Sequence, residues 1–558
     1  MKHILLKAAA VAMLALGVTS CSDELDISSI DPKSSPSYDM MQLLAKQYAT
    51  LGVTGQIGPS GDPDLSEDEG EKGFYRTVFN LEDMPSDECL WAWQNDEDVP
   101  AITNLAWTAN STRARWAYMR MAYDITLYNQ FLTEESGNAG PQLSAEVRFL
   151  RALHYYYFLD LFHKAPFKLR FDISTKPTEK ANVDLYNWLD RELTNIEDTL
   201  ANIGSFDNSE NFGRADQGAA FALHAQLALN SEVYTDGKIN DYKKAKDYCD
   251  RIINSGKYAL STNTVNGFTG YEQLFMGDND VNQQAMNEII FPIRQDGDKT
   301  EEYAGSTFLI ASTCISGMPY RNTNNYWSCY LAREDLVKKF FANSEEMPQA
   351  TERQADDYKG HTEAQCIAYD DSLGISTKDV QKKAGDDRAL LYMGVGGGFR
   401  TINPGQTIHN FNQGASIVKW TNLRSDLSGR HSDTFDDTDI PLFRLGVIYL
   451  TRAEAEWRLG DNAAAIADIN VLRDRAHASR ITNISAQLLI DEWCRETFFE
   501  GRRRSDLVRF GLFTGSGYLW DFKGGKPGGT SVDSRYKVYP IPAIDLTSNP
   551  NMTQNPGY

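Results

Sequence analysis

The sequence predicts a mainly α fold in which paired helices form a scaffold and a long loop-rich region carries a ligand surface. Two observations lead there. Apolar residues recur at three- and four-residue spacing through about 115–256 and again through about 441–510, the period of amphipathic helices packed on a core. Between those blocks, over about 260–440, that period dissolves into Gly, Asn, Thr, Ser and aromatic residues. An irregular stretch of such length inside a compact chain is usually functional.

At the N-terminus, Lys2, His3 and Lys7 precede an apolar run over 8–18 and then Val18-Thr19-Ser20-Cys21. A charged start, a short apolar stretch and small residues read as a secretory signal over 1–20, too short to span a bilayer. The cysteine placed directly after the small residues resembles a bacterial lipobox, which makes Cys21 the lipidated first residue of the mature chain. An ordinary signal with an incidental cysteine is the alternative. Residues 21–38, rich in Ser, Asp and Pro, read as a tether. No later run is apolar enough for a membrane helix, so the lipid is the expected anchor.

The remaining chain, 39–558, reads as a single domain. A first helix is expected over 40–51, followed over 52–73 by a Gly-, Pro- and acid-rich loop that holds Asp68 and is closed by Phe74-Tyr75-Arg76. Helices follow over 115–132 and 143–162, the second with Leu150, Leu153, Tyr157 and Leu161 on one stripe and Pro166 as its stop. Further helices over 182–201, 213–234 and 241–255 end in an antiparallel pair turning at Asp236-Gly237. Ala222, Ala225 and Ala245 sit where that pair approaches closely, a pattern that resembles tetratricopeptide repeats. A second such hairpin is expected at 445–459 and 463–476 around Gly460-Asp461, with a helix over 486–513 and an extended tail after Tyr539.

Net charge is -22 over 558 residues, which repels phosphate backbones and disfavours nucleic acid as a partner. Neither HExxH nor GxSxG occurs, and the many carboxylates single out no catalytic pair, so no enzyme is expected. Cys89, Cys249, Cys314, Cys329, Cys366 and Cys494 lack zinc spacing; buried thiols are expected, with a Cys314–Cys329 pair as the alternative. Gly394-Val395-Gly396-Gly397-Gly398 lacks the Lys-Ser/Thr of a phosphate loop and reads as a turn. Arg502, Arg503 and Arg504 lie at helical distances from Glu496, Glu500 and Asp506, so internal salt bridges are expected rather than a basic patch. His154 reads as a packed core residue.

The stretch Asp87-Glu88-Cys89-Leu90-Trp91-Ala92-Trp93-Gln94-Asn95 stands apart. In extended backbone two tryptophans at i and i+2 turn to one side and can form a paired platform, and indole faces are surfaces on which sugar rings stack. Plain core packing is the alternative.

Several motifs together carry a resemblance. Arg148-Phe149-Leu150-Arg151-Ala152-Leu153-His154-Tyr155-Tyr156, Pro441-Leu442-Phe443-Arg444, Tyr449-Leu450-Thr451-Arg452-Ala453-Glu454-Ala455, Glu500-Gly501-Arg502-Arg503-Arg504-Ser505-Asp506-Leu507 and Gln554-Asn555-Pro556-Gly557-Tyr558 resemble the SusD/RagB outer-membrane lipoproteins of Bacteroidetes. Ser22-Asp23-Glu24 after the lipobox looks like their surface-export signal. The tryptophan stretch, Ile293-Arg294-Gln295-Asp296-Gly297 and Asp386-Asp387-Arg388-Ala389-Leu390-Leu391-Tyr392 are similar to the starch-binding branch of that family.

The resemblance implies a non-enzymatic lipoprotein on the cell exterior that binds starch and maltooligosaccharides as a lid on a TonB-dependent transporter of the SusC type. Other surface glycan-binding lipoproteins and an amylase would work beside it. It implies an arc of Trp91, Trp93, Tyr303 and Trp327 following the curvature of coiled α-1,4-glucan, with Asp68 and Arg76 offering hydrogen bonds and either Asn95 or Asp96 supplying one more. It also implies calcium on Asp280, Gln295, Asp437 and Asp439, whose clustered oxygens suit a hard cation; acids on a solvated loop are the alternative. No cofactor is required. A related protein for another glycan, or a tetratricopeptide-type scaffold that holds a peptide, are the rival functions.

Overall fold

The computed structural model describes residues 38–55, 64–65, 70–207, 210–319, 321–408 and 411–558. The expected signal, Cys21, the expected tether up to residue 37 and Asp68 lie outside the described residues. The chain divides into Met1–Lys46 and Gln47–Tyr558. The first unit contributes the opening of helix α1 (Met40–Ala49), and the second holds every helix and strand from Phe74 onward.

The fold is mainly helical, as the periodicity predicts. After α2 (Phe74–Glu82) and the short strand β1 (Cys89–Trp91) come the long helices α3 (Thr112–Glu134) and α4 (Ser136–Phe162), packed on each other. Pro166 does not stop α4. The helix ends at Phe162 because His163 takes the left-handed conformation (φ 56°) of a C-cap, and Pro166 lies in a two-stranded ribbon four residues on.

Helix α5 (Asn182–Glu197) packs on α4, and α6 (Gln217–Leu229) with α7 (Tyr242–Ile253) makes the first expected hairpin. The Asp216 carboxylate accepts the Gly218 and Ala219 N–H groups at 2.7 and 3.3 Å and so caps α6. Ala222, Ala225 and Ala245 are wholly buried, and small side chains there let the two axes approach.

The loop-rich region contains β2 (Ile289–Ile293), α8 (Ser306–Thr313), β3 (Tyr330–Ala332) and α9 (Glu363–Leu373). Antiparallel pairings hold it to the scaffold: β1 with β3, and β2 with β4 (Ile440–Arg444). Strand β4 runs directly into α10 (Leu445–Arg458), which forms the second hairpin with α11 (Asn462–Arg475).

The two hairpins pack together although 191 residues separate Ile253 from Leu445. Arg452 on α10 fastens them, reaching Asp250 on α7 at 2.8 Å and Asp468 on α11 at 2.7 Å.

The expected helix over 486–513 is two helices, α12 (Ala486–Thr497) and α13 (Arg503–Arg509). Between them Phe499 has φ 58° and Gly501 φ 73°, and the carbonyls freed by the break are claimed by other side chains. Lys419 Nζ donates to the Phe498 carbonyl at 2.7 Å and Trp420 Nε1 to that of Phe499 at 2.8 Å. The three arginines at this corner point into the protein. Arg502 pairs with Asp506 at 2.9 Å, as helical spacing predicts, while Arg503 and Arg504 reach Asp87 and Glu82, more than four hundred residues away.

The cysteines at 89, 249, 314, 329, 366 and 494 are free and buried, so Cys314 and Cys329 do not pair. His154 is a core residue, its ring nitrogens 2.9 Å from the Leu150 carbonyl and 3.0 Å from Asp124.

Candidate functional site

The site is built on the β1–β3 pair. Its register sets Cys89 against Ala332, Leu90 against Leu331 and Trp91 against Tyr330. One further bond, Ala92 N–H to the Cys329 carbonyl at 2.7 Å, carries the pairing just beyond β1 and brings Trp93 and Trp327 side by side. Their ring centroids are 6.4 Å apart with planes 35° from parallel. Trp327 is also tied to α8, its N–H donating to the Ala311 carbonyl at 2.8 Å.

Tyr303 is positioned from the other side by the segment that opens α2. Gly70 has φ 85°, and a Cβ there would stand 2.4 Å from the Tyr303 carbonyl carbon; only glycine allows this approach. Arg76 N–H donates to the Ala304 carbonyl at 3.2 Å, and Arg76 Nη1 donates to the Tyr303 carbonyl at the same distance. Tyr303 then lies 5.2 Å from Trp327, planes 36° apart.

The row continues at both ends with two rings that sequence reasoning missed. Phe411 stands 6.0 Å from Trp93 and Phe435 stands 5.4 Å from Tyr303. The order is Phe411, Trp93, Trp327, Tyr303, Phe435, and all five are half-buried, each keeping part of its surface open. The only sequence signal was their setting: single aromatics flanked by Asn, Thr and Asp in a region already read as loop. Beside Trp93 opens a cleft of about 650 Å³ lined by Ala92, Gln94, Asn95, Asp96, Ile408 and Phe411.

Trp91 does not share the platform, contrary to the expected pairing. It is 2 % exposed, lies edge-on to Tyr330 at 4.4 Å, and stands 67° from the plane of Trp93. The reason is local: the strand ends at Trp91 and the chain bends at Ala92, so the two-residue alternation does not extend to Trp93. Trp91 is a foundation ring, with the Arg113 guanidinium 5.1 Å over it and Nε1 donating to Asp96 Oδ2 at 3.2 Å.

Arg76 is likewise buried beneath the row, its guanidinium 4.4 Å over Phe308 and 5.8 Å over Trp327, and burial lowers its pKa. Its guanidinium supports these rings from below. Asn95 is exposed at the cleft, whereas Asp96 is half-buried and holds Trp91 with one oxygen. Burial raises the Asp96 pKa, opposed by Arg113 and by the Trp91 hydrogen bond.

As folded, the residues expected to hold calcium make ion pairs and hydrogen bonds within the protein. The oxygens of Asp280 and Asp439 are taken by one guanidinium, Arg294, at 2.9 Å each. Asp437 faces a different group, accepting Gly297 N–H at 2.9 Å and lying 3.0 Å from His431 Nδ1. Gln295 Oε1 accepts Ser306 N–H at 3.3 Å. Among the described residues the one acid and histidine triad within ligand distance is Asp296, His431 and Asp437, which includes only one of the four. Burial pushes the Asp439 pKa up to about 8, with Asp280 adding to the rise; Arg294 pulls it down but does not offset the burial.

Comparison with known proteins agrees with this architecture. The SusD family model matches residues 278–558. The starch-binding protein SusD of Bacteroides thetaiotaomicron is 51% identical over 560 residues, spanning 99% of this chain and 98% of that protein. SusD-like protein P25 of Formosa agariphila is 24% identical over 76% of this chain and 74% of its own. Among solved structures, a SusD-like carbohydrate-binding protein of Bacteroides fragilis superposes with a TM-score of 0.65 at 18% identity, covering 92% of this chain and 98% of that one. A surface glycan-binding protein A of Bacteroides thetaiotaomicron, solved with laminarihexaose, gives 0.61 at 16% identity over the same shares. The full-length match at half identity, the family pattern over the C-terminal half and the shared helical scaffold together make this chain a member of the SusD family.

Proposed function

We propose that the protein is a non-enzymatic cell-surface lipoprotein that captures starch and maltooligosaccharides and passes them to a TonB-dependent transporter of the SusC type. In this reading residues 1–20 are the export signal, Cys21 carries the lipid, 21–38 is the tether and 39–558 is one binding domain. The observation that carries the proposal is the row of five half-buried rings, spaced 5.2 to 6.4 Å apart, beside an open cleft. Stacked faces give a sugar chain contact area, and Asn95 and Gln94 at the cleft can take its hydroxyls. The name of the relative at 51% identity adds weight to starch as the glycan.

Trp93, Trp327 and Tyr303 are the contact residues in this proposal, with Phe411 and Phe435 extending them; Trp91 and Arg76 hold the row from below. Weak contacts repeated along one chain add up, so affinity should rise with oligosaccharide length. The test is retention on insoluble starch. Wild-type protein should be retained and the Trp93→Ala, Trp327→Ala double variant should run through with an unchanged circular dichroism spectrum; equal retention of both would sink the reading.

A further inference from the structure

The loop residues 399–408 and 411–413 divide two cavities. On one side Ile408 and Phe411 line the cleft beside Trp93. On the other, Phe399, Thr401 and Asn412 line a second cavity of about 640 Å³, together with Glu352, Tyr358 and His361. Both volumes fall in the range of ordinary small-ligand sites.

The glycine run 394–398, read from the sequence as a turn, borders the second cavity through Gly397 and Gly398. A Cβ on Gly396 would stand 2.0 Å from the Gly317 carbonyl oxygen, and one on Gly397 would stand 2.1 Å from Ile315 Cδ1. The run therefore packs flat against 315–317, while Gly398 (φ 89°) has nothing within 4 Å of its Cβ position and leaves free space.

The lining chemistry selects the class of ligand. Glu352 and Asp356 outnumber the single cation Lys359, which disfavours phosphate. Among the described residues no acid and histidine triad at ligand distance lies here, which disfavours a metal. What remains is a wall of carboxylate, amide and hydroxyl groups beside aromatic rings, the mixture suited to a neutral polyhydroxylated molecule. His361, Tyr358 and Tyr369 form a ring stack with centroids 4.6 and 3.7 Å apart, so this wall is preorganised.

Phe411 and Asn412 are consecutive, and successive Cα atoms lie about 3.8 Å apart, so the two cavities are separated by the width of a single loop strand. We infer that the cavity between 352–361 and the loop residues 399–401 and 412–413 is a second glucan subsite, which receives the part of a long α-glucan chain that runs past Phe411. The inference rests on the proposed function and adds to it a reason for chain-length selectivity beyond the ring row.

The test compares maltotriose with a long linear maltodextrin by titration calorimetry on the full chain. Two variants alter only exposed positions: Glu352→Ala with His361→Ala removes polar and ring contacts, and Thr401→Trp fills the cavity. Both should bind maltotriose as the wild type does and lose about tenfold in affinity for the long chain. Long-chain affinity equal to wild type in both variants overturns the inference. So does a parallel loss for maltotriose, which would put the damage in the ring row. If wild-type protein binds neither sugar, the fault lies with the proposed function itself, and the subsite falls with it.

Discussion

Asp87 and Arg503, 416 residues apart in the chain, are joined by a two-point ion pair at 2.7 and 2.8 Å with both side chains out of solvent. Burial pushes the Asp87 pKa up, but the Arg503 charge and hydrogen bonds outweigh it and hold the carboxyl well below the usual carboxylate range. Asp87 lies two residues before β1, so this pair pins the strand that carries the ring row to helix α13. Arg503→Met strips the buried Asp87 carboxylate of its guanidinium, leaving only Tyr518 and the more distant Lys339, and should cost about 3 kcal/mol in urea unfolding. Starch retention should fall with it even though neither residue faces the cleft.

Acid should destabilise the protein, with a sign that follows from the buried pairs. Asp87, Glu454, Glu496, Glu500 and Asp506 are each pushed up by burial and pulled further down by arginine partners, with Lys419 assisting at Glu500. A carboxyl whose folded pKa lies below its unfolded value contributes stability above the unfolded value, and loses it as pH falls toward the folded one. Below about pH 3, carboxyls with raised values are protonated in both states and drop out of the slope. Urea midpoints measured across pH should therefore decline from about pH 3 downward; a flat profile there would show that the arginine pairs contribute nothing.

Trp91 and Trp93, neighbours in sequence, should separate cleanly by phenotype. Trp91→Ala empties a fully buried site and should cost about 3–5 kcal/mol. Trp93→Ala removes a half-buried ring, so it should leave thermal unfolding nearly unchanged while starch retention drops. Retention that survives Trp93→Ala with Trp327 intact would mean that the other rings suffice.

Gly70→Ala tests how the row is held. The added Cβ meets backbone of Tyr303 and Ala304 at 2.4 and 2.5 Å, and φ 85° is strained for any side chain. A loss of about 1–3 kcal/mol is expected, with Tyr303 displaced from Trp327 and weaker maltooligosaccharide binding by calorimetry.

The helical scaffold was legible because its apolar stripes repeat over many turns: both hairpins, with their turns at Asp236-Gly237 and Gly460-Asp461, lie where the period puts them. The strands β1 and β3 were not, since three residues leave no period to read. At the site, Trp93, Tyr303 and Trp327 followed from motif resemblance, yet nothing in the chain distinguished Trp91 as a foundation from Trp93 as a surface. That difference depends on a bend at Ala92, which tertiary pairing with Cys329 produces. For Arg503 and Arg504, short-range spacing suggested partners on the same helix, while the partners that neutralise them come from the far end of the sequence.

The packing of α7 on α10 closes residues 254–444 into a loop whose two ends are clamped by the scaffold. Closing a loop costs only slowly more as it lengthens, so insertions and deletions inside it are cheap compared with changes in the hairpins. Evolution can then exchange recognition segments like cassettes while leaving the frame that folds them intact, which gives one architecture a means of serving many diets.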